Sequence, residues 1–225
     1  MKSLAVQPNL VELVQDAIVA EIASGKLAPG ARIIQEQIAK DLGVSRQPVQ
    51  QALLLLRNLG VLSEAPGRGL QVAPLDLDHV RNMYDMRAVI EGLAFRKAAE
   101  RNAARAARQG PPLVRAGRRA VARGAVADMI EADMAFHDFI YELSGNPLVG
   151  PTMDAHWTNT QRVMGEVLMR DEKPRDIWDQ HDALLTAVAA GDGKSAERLA
   201  RQHIDQAADF MIARLRRETG EPATP

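Results

Sequence analysis

The chain has 225 residues, enough for one large domain or two small ones, with 46% hydrophobic and 25% charged residues, the balance of an ordinary soluble globular protein. Its net charge of −1 gives no global pull towards nucleic acid, and the absence of cysteine excludes disulfides and thiolate metal sites, as suits a reducing cytoplasm. No apolar run approaches the roughly 18 residues of a membrane span and no signal-peptide core is read at the N-terminus, so a cytoplasmic protein without membrane contact is expected.

In chain order, NLVELVQDAIVAEIASG (9–25) reads as an amphipathic helix with Leu10, Val14, Ala17, Ile18 and Ile22 near 3.6 spacing, followed by a turn at LAPGAR. A short second helix is expected from Ile34 to Leu42, with Ile34, Ile38 and Leu42 on one face and Gly43 ending it. Ser45 stands as N-cap of a third helix running to about Asn58, and Pro48 falls in its first turn, where a missing N–H costs little. Two short strands about a Pro-Gly-Arg-Gly turn follow in GVLSEAPGRGLQVAPL, and Pro74 closes the block. From residue 76 the pattern is helical throughout, with helices at about 77–108, 114–123, 126–144, 148–170, 174–190 and 193–217. Their boundaries fall at GPP (110–112), Gly124, SGNP (144–147), Lys173-Pro174 and GDG (191–193). Residues 218–225 are expected to form a disordered tail. The fold class is therefore mainly α: an N-terminal unit of residues 1–75 and an all-α bundle of residues 76–217.

Helix 34–42, a Gly43-Val44 turn and a helix capped by Ser45 have the length and turn chemistry of a helix-turn-helix. In that arrangement Arg46, Gln47, Gln50 and Gln51 form a polar front for the major groove, while Ala52, Leu53, Leu56 and Leu59 bury the back. Arg suits guanine and Gln suits adenine. A plain amphipathic surface helix fits the same residues about as well. The two-stranded hairpin that follows favours a winged helix, with Arg68 at the wing tip placed to reach a phosphate or the minor groove. Residues 1–75 carry seven Lys and Arg against six Asp and Glu, so binding must come from local placement of charge.

The stretch GKLAPGARIIQEQIAKDLGVSRQPVQQALLLLRNLGVL…GRGLQV (25–72) resembles the GntR family of bacterial transcription regulators. The resemblance implies that Arg46, the first turn of its helix and the wing contact double-stranded DNA. Where the family reads P-V-R-E-A-L, this chain has Pro48-Val49-Gln50-Gln51-Ala52-Leu53. Gln50 in place of arginine removes a charge, which predicts weaker phosphate attraction and a shift from guanine towards adenine readout.

Five histidines occur: His79, His137, His156, His181 and His203. Asp133 and His137 stand at i and i+4, on one helix face; His181 and His203 lie on two further helices. One Asp and three His suit a divalent ion with open positions, although spacing alone favours ordinary satisfied polar residues. The second block is similar to the FCD domain of the FadR branch of the family, whose metal-binding members show D-x-x-x-H, a second His with a following G-D or R-D, and a last His about 22 residues on. Asp133, His137, His181 with Gly191-Asp192, and His203 fill those positions. The resemblance implies a bound divalent ion, zinc before nickel or manganese, that anchors a small carboxylate or sugar acid. Arg87 stands where the family places an arginine for the acid, and an i,i+4 pair with Glu91 explains it equally well. Asn159 and Arg162 are further candidates for the pocket. His156 is expected at the surface or core edge and His79 in the linker.

Seven arginines and no acid between Arg101 and Ala127 read as a solvated helix surface more readily than as an anion-binding patch. The whole implies a metabolite-responsive DNA-binding regulator, a repressor by family habit, homodimeric and bound to a pseudo-palindromic operator. The alternatives are a regulator whose signal is the metal itself and a metal-dependent hydrolase, the latter lacking a Glu placed as in H-E-x-x-H.

Overall fold

The computed structural model describes residues 10–169 and 177–219, and the chain divides into two compact units between Leu75 and Asp76. The break expected at Lys173-Pro174, the helix start at 174 and the tail from residue 220 lie outside the described residues.

The first unit runs α1 (Leu10–Ala23), β1 (Arg32–Ile33), α2 (Gln35–Asp41), α3 (Arg46–Asn58), β2 (Leu62–Glu64) and β3 (Leu70–Val72). Val14, Ile18 and Ile22 recur every fourth residue on α1 and pack with Val49, Ala52, Leu53 and Leu56 of α3 in one buried cluster that Leu62 and Val72 complete. Each buried Val, Leu or Ile among them contributes about 1.5–3 kcal/mol by leaving water, which is what lets so small a unit keep a core. Leu10, expected on the buried stripe, is exposed, and Val19 is buried instead.

Two expectations for this unit are corrected. The sheet has three antiparallel strands in the order β1-β3-β2, not two: Arg32 pairs with Gln71 and Ile33 with Leu70 across the added edge. The second helix starts one residue late, with Ile34 in the N-cap position, and it buries Ala39; Ile34 and Leu42 are 59% and 40% exposed. Seven residues make only two turns, so the inward face of α2 is one small side chain wide. Gly43, with φ +64°, ends it in a left-handed cap: Val44 N–H donates to Ala39 O and Gly43 N–H to Lys40 O.

The second unit is α4 (Leu77–Gln109), α5 (Pro111–Arg123), α6 (Val126–Ser144), α7 (Val149–Leu168), α8 (Ile177–Ala189) and α9 (Gly193–Thr219). Asp76 caps α4, its Oδ1 accepting from the N–H groups of Asp78 and His79, so His79 sits in the first helical turn. The Gly110-Pro111-Pro112 break is only a junction: α5 starts at Pro111, with proline in its first positions, about three residues earlier than expected. At its other end α9 continues through Thr219, past the expected stop at 217. Phe95, Phe136, Ile140, Met153 and Leu184 lie in the core. Helix α4 packs against α6, α8 and α9, and it is this convergence that gathers polar residues from four helices. Among the described residues no helix is long and apolar enough to cross a membrane.

Candidate functional site

In the first unit, Arg46, Gln47, Gln50 and Gln51 are exposed on α3 while Pro48, Val49, Ala52 and Leu53 are buried, so the polar front and apolar back separate as the sequence suggests. Ser45 has the extended backbone of an N-cap, but its hydroxyl makes no capping hydrogen bond. Gln35 Nε2 donates instead to Arg46 O, tying the two helices of the motif together. Arg46 Nη2 lies 2.8 Å from Glu36 Oε1, an exposed pair on the same face. Arg68 is exposed between Gly67 and Gly69, both at φ +93°, a conformation other residues rarely hold. Arg32 on β1 fixes this turn, its Nη2 donating to the carbonyls of Pro66 and Arg68. The third strand, missed in the sequence, thus carries the brace of the wing.

In the second unit, His137 (α6), His181 (α8) and His203 (α9) are buried, with one ring nitrogen of each within 4.8 Å of the others. Every one of them has its Nδ1 beside an acceptor outside the cluster. His137 Nδ1 is 2.5 Å from Glu91 Oε2, His181 Nδ1 is 2.9 Å from Ile177 O, and His203 Nδ1 is 2.9 Å from Gln180 Oε1. With acceptors on that side, a neutral ring at each position carries its hydrogen on Nδ1 and turns the lone pair of Nε2 to the cluster. His137 Nε2 and His181 Nε2 are 3.4 Å apart, and Asp133 Oδ1 is 3.2 Å from His181 Nε2. Two ligand atoms about 2.1 Å from a tetrahedral zinc ion are ~3.4 Å from each other, so the spacing and the donor set fit such an ion. Asp133 touches the cluster at its edge, through His181.

The electrostatics agree with a site built for charge. Burial opposes ionisation of Glu91, but Arg87 and His137 outweigh it and bring its pKa down to about 2. Burial also opposes a charge on His137, and the Glu91 carboxylate overcomes this and raises its pKa. Burial together with the other two histidines pushes His203 well below the usual imidazole range. For Asp133, burial would raise the pKa, yet the contact with His181 and the charge of the nearby histidines hold it well below the usual carboxylate range. Tyr84 is pushed up to about 12, mainly by burial.

Asp133, His137 and His203 line one cavity of ≈ 880 Å³ together with Arg87 and Tyr84. Arg87 is 3% exposed and its Nε donates to Glu91 Oε1 at 2.8 Å, so the i,i+4 pair is formed; Nη1 donates to Thr160, and the guanidinium stacks over Tyr84 and Trp157. Asn159 and Arg162 are buried on α7 and are not among the cavity's lining residues. His156 is half-buried, with its pKa lowered by burial. Of the arginine-rich stretch, Arg105 pairs with Glu142, Arg118 with Asp179 and Asp182, and Arg123 with Asp128, all as surface contacts. Sequence reasoning missed Gln180 and the second role of Glu91, which hold the histidine rings. No spacing announces them, because each acts across helices.

Residues 10–72 match the family model described as bacterial regulatory proteins, gntR family, and residues 82–206 match that of the FCD domain. The HTH-type transcriptional repressor RspR of Escherichia coli (strain K12) is 26% identical over 87% of this chain and 85% of its own. An uncharacterized HTH-type transcriptional regulator in an unstable DNA locus of Streptomyces ambofaciens is 30% identical over 87% of this chain and 82% of its own. Among solved structures, E. coli McbR/YncC has the same fold, with a TM-score of 0.80 at 22% identity over 95% of this chain and 99% of that one.

Proposed function

This chain belongs to the GntR family and carries an FCD domain, so it is a transcription regulator, and we propose that it is a DNA-binding repressor controlled by an organic acid held at a divalent ion in its helical unit. What supports the sensing half is one observation: three buried imidazoles from three helices turn Nδ1 outward to acceptors and Nε2 inward, beside a cavity that Arg87 also lines. A cation held by His137, His181 and His203 with Asp133, zinc before nickel or manganese, supplies positive charge and a coordination position for a carboxylate.

The chain's own residues do the rest. Glu91, Ile177 O and Gln180 hold the three rings in the tautomer a cation needs. Arg87 has its Nε on Glu91 and its Nη1 on Thr160 and lines the cavity, so its guanidinium is placed to meet the acid's second oxygen. In the first unit, Arg46, Gln47, Gln50 and Gln51 meet base edges and Arg68 on the wing meets the backbone or minor groove. A homodimer sets two such units on half-sites about 34–36 Å apart. The acid changes DNA affinity to the extent that the bound and free conformers hold it differently.

A thermal-shift screen against mono-, di- and tricarboxylates and sugar acids, with zinc added and again after chelation, tests this. Saturable stabilisation by an acid that chelation removes is the expected result. Stabilisation by zinc alone, with DNA affinity following free zinc and no response to any acid, would establish the metal itself as the signal.

A further inference from the structure

We infer that the effector is a monocarboxylic acid with an apolar body of roughly eight carbons or more, its carboxylate at the histidine cluster and its body along α9. This rests on the acid-sensing reading above and narrows it.

The cavity is larger than a small acid needs. At ≈ 880 Å³ it falls in the upper part of the range of pockets that enclose drug-sized ligands, about 300–1,000 Å³. It is also graded. Arg87, Asp133, His137 and His203 make a charged end with Trp178 stacked beside it on His181, whereas Met129, Met164, Leu168, Phe210 and Met211 are the large apolar side chains among the other described lining residues. On α9 the lining residues run from His203 through Ala207 and Phe210 to Arg214, three turns of one helix face. At 1.5 Å rise per residue, Phe210 lies about 10 Å along the axis from His203, and Arg214 about 16 Å. An extended alkyl chain advances ~1.25 Å per carbon, so the stretch to Phe210 is a body of roughly eight carbons. Of the other polar lining residues, Gln180 turns its Oε1 to His203 and the Arg214 guanidinium lies over the Phe210 ring at 4.4 Å, while Gln206 stands on the same wall. A polyhydroxylated acid would leave its hydroxyls facing methionine and aromatic side chains, which costs binding for every hydrogen bond lost to water.

Charge limits the head to one carboxylate. The Arg87 guanidinium is neutralised by Glu91, and a divalent ion beside Asp133 keeps one net positive charge, which a single carboxylate balances. Three methionines in the wall are adaptable, so straight, branched and aryl bodies are all accommodated.

Calorimetric titration of the zinc-loaded full chain with butanoate, hexanoate, octanoate, gluconate and citrate tests the inference. Affinity is expected to rise about fourfold per methylene from butanoate to octanoate, the fold-change that corresponds to ~0.8 kcal/mol per buried methylene, and chelation of zinc is expected to abolish binding. The half-buried Met164→Gln should weaken octanoate about tenfold and leave butanoate unchanged. Gluconate or citrate binding more tightly than octanoate overturns the apolar body and leaves the acid sensor standing. Equal loss for octanoate and butanoate in Met164→Gln contradicts the placement of the tail. Failure of every acid to bind the zinc-loaded protein overturns both readings.

Discussion

Glu36 and Glu91 show how one carboxylate acts differently in water and out of it. The Glu36–Arg46 pair is exposed on both sides, so it contributes at most about 1 kcal/mol. It nevertheless occupies the arginine proposed above to contact DNA. Glu36→Gln is predicted to tighten DNA binding up to about fivefold at low salt, measured by fluorescence anisotropy; unchanged affinity would mean that Arg46 is not held back. Glu91 is 0% exposed and bridges Arg87 and His137, so its removal strands a buried guanidinium. Glu91→Ala is predicted to cost about 3–5 kcal/mol in urea unfolding, and the Arg87→Met, Glu91→Leu double variant much less. At this scale the sequence was partly legible. Asp133 and His137 share a face by spacing alone, but nothing local says that Glu91 completes His137 or that Gln180 holds His203, because those contacts exist only once α4, α6, α8 and α9 have packed.

Among the elements, the helices of the second unit were readable to within a few residues because long periodic stretches end at glycine or proline. The exceptions have physical causes. Two residues of β1 are too short to show alternation, and that strand exists only as a partner for β3. Proline at 111 and 112 was read as a breaker, although the first turn of a helix is where proline is welcome. Within α5, Gly117 is a contact rather than a hinge: a Cβ there would fall inside the Trp178 ring. Trp178 stacks on His181 and lines the cavity, so α5 reaches the site through this glycine. Gly117→Ala is predicted to lower stability by about 1–3 kcal/mol and to weaken zinc retention, read by thermal unfolding and tryptophan fluorescence. Unaltered unfolding would show that α5 and α8 have room to separate.

At the scale of the molecule, a net charge of −1 gives no global attraction to DNA, so the proposed binding depends on a few placed side chains. Gln50→Arg restores a charge at an exposed position of α3, and it is predicted to raise DNA affinity while steepening the salt dependence by about one unit. An unchanged salt slope would mean that residue 50 faces away from the phosphates. The two-unit organisation separates tasks: one unit presents α3 and the braced wing, and the other gathers the histidine cluster and its cavity. Regulation requires that an event in the second change the DNA affinity of the first.

The most direct measurement is therefore the affinity of the zinc-loaded full chain for a DNA site selected from a random pool, with and without saturating octanoate, repeated after chelation. A fall in DNA affinity of at least about fivefold with the acid, abolished when zinc is removed, is the predicted result. The same DNA affinity with and without an acid shown to be bound would contradict the account.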